Sequence, residues 1–156
     1  MNHVIEKSVE LKAPISRVWR ALTDSKEFGE WFRVKLESPF IPGKSVHGHI
    51  TYPGYEYLKF EAAVQKMETE RYFSFTWHPY AIDPKTDYSK EEPTLVEFKL
   101  ENAGNGTLLQ VRESGFEKVP ANRREEAFRM NEGGWAEQMK NIANYLSGNS
   151  TITSWT

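Results

Sequence analysis

Residues 131–146 read NEGGWAEQMKNIANYL. Phe128, Trp135, Met139, Ile142 and Leu146 recur at helical spacing, so a helix running from about Pro120 to Leu146 with one buried stripe is expected. Gly133 and Gly134 interrupt it directly before Trp135. Each costs a helix interior about 1 kcal/mol relative to alanine, so the pair calls for a reason. The reason expected is close approach: without Cβ atoms, the two positions let the backbone of a sheet lie against the helix, and Trp135 turns toward a pocket between them. A kink or a packing adjustment with no ligand is the competing reading.

The rest of the chain supplies such a sheet. His3–Lys12 alternates, with Ile5, Lys7, Val9 and Leu11 on one side, as an edge strand does. Pro14 opens a helix whose apolar face is Ile15, Val18, Trp19 and Leu22. Asp24 and Ser25 cap a second short helix with Phe28, Trp31 and Phe32 inward. Past Pro42-Gly43 the period becomes two. Val46, Gly48, Ile50 and Tyr52 share a face, then Leu58, Phe60, Ala62 and Val64, then Phe73, Phe75 and Trp77. A polar loop from Pro79 to Pro93 follows. Val96, Phe98 and Leu100 mark a further strand, Asn105-Gly106 a hairpin turn, and Leu109, Val111 and Glu113 a last strand. This order predicts an α+β, helix-grip fold: a curved antiparallel sheet of about seven strands around the long C-terminal helix, with two short helices after strand 1. One domain spans 1–146, and 147–156, SGNSTITSWT, is a polar tail.

The totals agree. The 156 residues suit one domain, with 27% charged and 13% aromatic residues. The net charge of −2 gives a nucleic-acid partner no bulk electrostatic support. No cysteine is present, hence no disulfide or thiolate chemistry. No apolar run is long enough for membrane insertion, and the N-terminus lacks a signal core, so a cytoplasmic location is expected.

Four segments in order carry a family resemblance: APISRVWRALTD (13–24), EFGEWF (27–32), RESGFE (112–117) and NEGGW (131–135). The chain resembles the START-like superfamily, also called SRPBCC or birch-pollen-allergen-like, over about Val4 to Leu146. Within it, the chain is similar to the group of the C-terminal domain of the activator of heat-shock protein 90 ATPase. The resemblance implies a pocket for a small-molecule or lipid-like ligand. Many relatives carry a histidine where this chain has Asn131, so imidazole chemistry at that place is not implied here. The eukaryotic co-chaperone also has a separate N-terminal domain, for which this chain has no room, so the family name is not taken as its activity.

The expected ligand is small and hydrophobic or amphipathic, lipid-like or aromatic. The candidate wall is Trp31, Phe32, Tyr52, Phe60, Phe75, Trp77, Phe98, Trp135 and Met139, all on inward positions. A solid aromatic core is the alternative use of the same residues. Glu113 would be costly to bury unpaired; it either meets a polar ligand group beside Asn131 or sits at the strand's end, meeting water or an arginine. Strand ends are where alternation fails, which favours the second.

Other chemistries find little support. His47 and His49 share a face with Ser45 and Thr51, opposite the apolar one, and no third ligand is spaced for a metal. There is no G-x-S-x-G, P-loop or G-x-G-x-x-G, so no nucleophilic triad and no ATP or NAD cofactor is expected. Arg123-Arg124 before Glu125-Glu126 reads as a solvated helix face. Two rival functions stay open. One is an enzyme using Glu113 as acid or base, with Tyr52 or His78 assisting. The other is a protein-interaction module with a chaperone or homodimer contact, for which Ile152 and Trp155 of the tail are candidates. The interaction module predicts a cavity filled by its own side chains.

Overall fold

Strand β1 (Ile5–Leu11) buries its two ends, Ile5 and Leu11, and exposes every second residue between them. The computed structural model describes residues 3–148; Ile152 and Trp155 lie outside them. Helix α1 (Ile15–Thr23) follows Pro14 and buries Val18, Ala21 and Leu22. Helix α2 (Ser25–Phe32) starts where the Asp24 carboxylate accepts the N–H groups of Lys26 and Glu27. It buries Phe28, Trp31 and Phe32, the expected inner side.

Six more strands complete the sheet: β2 (Val34–Leu36), β3 (Ser45–Ile50), β4 (Lys59–Glu68), β5 (Tyr72–Trp77), β6 (Thr94–Ala103) and β7 (Gly106–Ser114). Their order is β1-β7-β6-β5-β4-β3-β2, every pair antiparallel. A register shift between Val64 and Lys66 breaks the β4–β5 ladder, a device that bends and twists a strand. Phe60, Ala62 and Val64, Phe73 and Phe75, Val96, Phe98 and Leu100, and Leu109 and Val111 are all buried, as the alternation requires. The final helix α3 (Ala121–Leu146) runs from the position after Pro120, with Trp135, Met139 and Ile142 buried. This is the helix-grip arrangement that the order of elements predicts.

The differences are local. β2 has three residues, too few to show an alternation. β3 ends at Ile50, so Tyr52 sits in the following turn, its ring 5.5 Å from Tyr55, and Leu58 precedes β4. The β6–β7 turn is Gly104-Asn105, one residue earlier than expected, because Gly104 takes the positive φ of 59° that the first turn position demands. On α3, Phe128 and Leu146 are only half-buried, and Ala127 lies in the core instead.

Candidate functional site

The expected reason for the glycine pair does not hold. A Cβ built at Gly133 or Gly134 meets nothing within 4 Å. The sheet backbone does not approach α3 there; open space does. Close backbone approach occurs elsewhere, at Gly48 and Gly106, where a Cβ would stand 2.2 and 2.1 Å from the carbonyl oxygens of Lys35 and Leu11. Gly133 and Gly134 instead line a pocket of about 520 Å³ between α3, the open end of the sheet and the loop after β5. Side chains at those two positions would project into that space.

Four aromatic rings shape the pocket's inner wall. Trp77 at the end of β5 and Trp135 on α3 stack with centroids 5.7 Å apart and planes at 30°. Phe32 of α2 lies 6.1 Å from Trp135 and 6.2 Å from Trp77, and Phe60 of β4 5.8 Å from Trp77. Tyr80, Ala81 and Ile82 of the loop, with Ile50, Leu58 and Met130, extend the apolar lining outward. Lys59, Glu61, Arg129 and Glu137 bring both signs of charge, the first three exposed and Glu137 half-buried.

Glu113 sets the position of two of these rings. It is 0% exposed, so the strand-end reading in which it meets water fails. Among the described residues no arginine pairs with it either. Trp77 Nε1 donates to its Oε2 at 2.7 Å and Trp135 Nε1 to its Oε1 at 2.8 Å. Thr94 Oγ1 donates to Oε2 at 2.5 Å, and Asn131 Nδ2 to Oε1 at 3.0 Å and Oε2 at 3.2 Å. The geometry follows from sheet register. Trp77 pairs with Thr94, and Glu113 pairs with Val96 on the same strand, so the end of β5, the start of β6 and the end of β7 meet. Asn131 and Trp135 are four apart on α3 and so present one face. An acceptor-only carboxylate with donors on both oxygens is the arrangement that makes burial of such a group tolerable.

With this geometry, the sequence can be set beside known proteins. The model of the Activator of Hsp90 ATPase homolog 1-like protein family matches residues 12–147. The chain belongs to that family. No curated protein gives a significant sequence match. Solved structures share the fold at low identity. A protein of Mesorhizobium loti is 24% identical with a TM-score of 0.73, the match covering 93% of this chain and 97% of that one. The Aha1 of Colwellia psychrerythraea, solved as a dimer, is 15% identical with a TM-score of 0.70, covering 95% and 98%. DynU16, a putative protein in the dynemicin biosynthetic locus, is 22% identical with a TM-score of 0.73; all of this chain matches, but it spans only 52% of DynU16. Among the described residues no helix is long and apolar enough to cross a membrane.

Within this family member, the expected wall residues separate into groups. Phe32, Phe60, Trp77, Asn131 and Trp135 come together at the pocket. Trp31, Phe75 and Phe98 do not: each is fully buried in the core, Trp31 donating its indole N–H to the Ala21 carbonyl at 2.8 Å. Tyr52 remains in its turn, outside the lining, and Met139 faces a separate groove with Lys7, Val9 and Lys140. Glu113 stands behind the two indoles rather than on the pocket surface.

Loop residues Tyr80, Ala81 and Ile82 are what the sequence missed. They line the pocket together with His78, which sequence reasoning offers only as an assisting group for an enzyme, and Arg123 holds their loop in place. Its guanidinium pairs with Glu91 at 2.5 Å, donates to the Pro79 carbonyl at 2.7 Å, and lies 4.8 Å from the centre of the Tyr88 ring. Arg123 is thus a partly buried clamp and not part of a solvated face, at 15% side-chain exposure. Arg124 likewise turns back to donate to the Val119 carbonyl. The pocket's far end is closed by Gln138, which donates to the Phe32 carbonyl, and Asn141, which donates to Gln138 Oε1. His47 pairs with Glu61 of the pocket lining at 2.9 Å and is exposed.

Proposed function

We propose that this protein binds a small hydrophobic or amphipathic molecule in the pocket between α3 and the sheet. The observation that carries the reading is the space left beside Gly133 and Gly134, walled by Phe32, Phe60, Trp77 and Trp135. Large, mostly apolar concavities with a few fixed polar groups are how proteins take small ligands. A pocket filled by the protein's own side chains, as a pure interaction module predicts, is not what these glycines produce. Trp and Phe rings line the contact surface, and Asn131 presents a polar group in the same wall.

Glu113 is a positioning residue in this reading. Its two oxygens are occupied by four donors and it has no exposed atom, so it orients Trp77 and Trp135 rather than meeting a ligand. The same enclosure argues against Glu113 as the acid or base of an enzyme.

Binding of the neutral dye N-phenyl-1-naphthylamine, followed by its fluorescence, tests the reading. Saturable one-to-one binding that is abolished in Gly134→Leu, which fills the pocket, is expected. No binding, or equal binding to the variant, would overturn it.

A further inference from the structure

The chemical class of the ligand follows from which hydrogen-bonding groups the pocket has already used. This inference rests on the ligand-pocket reading above. Both indole N–H groups of the wall are committed to Glu113, and so is the Asn131 amide nitrogen. At the far end the Gln138 nitrogen is committed to the Phe32 carbonyl and the Asn141 nitrogen to Gln138. His78 faces the Glu91 carbonyl through Nε2 at 2.9 Å, so that nitrogen is a donor already in use. An anion entering the inner pocket therefore finds the two indole donors beside Glu113 spent, although an amide nitrogen such as that of Gln138 keeps a second N–H. The cationic side chains of the lining, Lys59 and Arg129, are exposed and accompanied by Glu61 and Glu137.

The opposite chemistry is well provided for. Turning its nitrogen to Glu113 leaves Asn131 with Oδ1 as its remaining polar atom, an acceptor. Trp77, Trp135, Phe32 and Phe60 line the pocket, and aromatic rings attract a cation that reaches their faces. Behind the two indoles sits a carboxylate bound by neutral donors, with no lysine, arginine or histidine among its partners. Its charge is transmitted through rings in a water-poor wall, where fields are weakly screened.

We propose that the pocket selects a planar or aromatic molecule carrying a positive or hydrogen-donating nitrogen, an arylalkylammonium in type, and rejects the corresponding carboxylate. The indole donors of the wall are used up by the protein, while an amide oxygen on the wall and the carboxylate behind it favour a cation.

The test is a series of three probes of similar shape, titrated by quenching of tryptophan fluorescence: 2-(1-naphthyl)ethylammonium, 2-(1-naphthyl)ethanol and 1-naphthylacetate. The ammonium is expected to bind about tenfold or more tighter than the carboxylate, with the alcohol between them. In Glu113→Gln, where it folds, the ratio of ammonium to carboxylate affinity is expected to fall toward one. Equal affinities, or tighter binding of the carboxylate, would overturn the charge selection while leaving the pocket as a ligand site. Failure of all three to bind would overturn the pocket reading and this inference with it.

Discussion

Trp77 and Trp135 are 58 positions apart in sequence, on a strand and a helix, yet stack at 5.7 Å with both indole N–H groups on one carboxylate, that of Glu113. Because each ring has its own oxygen, the carboxylate sets both the depth of the rings and their mutual angle. The inner wall of the pocket is therefore a hydrogen-bonded unit joining β5, β6, β7 and α3.

Removing the carboxylate should be costly. Glu113→Ala leaves the donors of Trp77, Trp135, Thr94 and Asn131 without their acceptor, and each buried unpaired group costs about 1–3 kcal/mol. A loss of at least about 3 kcal/mol is expected in urea unfolding, because relaxation rescues some donors but not all. A loss under about 1 kcal/mol would mean that the cluster is not held as described.

Trp135 is 2% exposed and touches Phe32, Trp77 and Phe98. Trp135→Ala should cost about 3–5 kcal/mol and also weaken ligand binding. An unchanged melting temperature would remove it from the core.

The glycines should respond in the opposite sense. Gly134→Ala adds a methyl group to open space on a helix, so a gain of up to about 1 kcal/mol is expected. Binding should weaken as the pocket narrows. Crowding against a sheet would instead make this variant less stable, and thermal melting distinguishes the two.

Arg123→Ala should free the loop of residues 78–93 from α3. Hydrogen exchange of that loop should quicken while β6 and β7 keep their protection, since the clamp's contacts are confined to Pro79, Tyr80, Tyr88 and Glu91. Quickened exchange throughout the sheet would show that the loop is integral to the core.

A second polar cluster gives the protein an alkaline limit. Burial, then the hydrogen bond to Glu27, pushes the Tyr145 hydroxyl up to about 12. The folded state thus holds this proton more tightly than the unfolded one, whose tyrosine releases it near 10. The contribution is fully present below pH 10 and is lost as pH rises toward 12. Burial raises Glu27 in turn, but hydrogen bonds from Tyr145 and Arg17 and the charges of Arg17 and Arg20 outweigh it and leave the carboxyl lowered. Its contribution is present above the ordinary carboxylate range and disappears on acidification. Tyr145→Phe should flatten the alkaline fall in stability; an unaltered profile would place its cause elsewhere.

How much of this was legible in the sequence depends on the kind of information needed. Period two and period 3.6 located six of the seven strands and all three α-helices, because burial on one face is a local signal. Alternation says which face a residue takes, not how far along the sheet it sits. Phe75 and Trp77 share a face, yet Phe75 is in the solid core and Trp77 at the pocket, two residues nearer the open end. The same limit explains why Trp31 and Phe98 read like Phe32 and Phe60. Glu113 was visible as an inward carboxylate, but its partners come from residues 77, 94, 131 and 135, and only tertiary structure joins them. The loop carrying Tyr80 and Ile82 has no periodicity to read. The glycine pair was correctly singled out and wrongly explained, since a missing side chain is equally consistent with close contact and with empty space.

The most direct measurement is native mass spectrometry of the purified protein, alone and with N-phenyl-1-naphthylamine, followed by the denatured mass. One small molecule per chain, either resident from purification or the added dye, lost on denaturation and absent from Gly134→Leu, is the expected result. The bare polypeptide mass under every native condition would contradict a ligand site between α3 and the sheet.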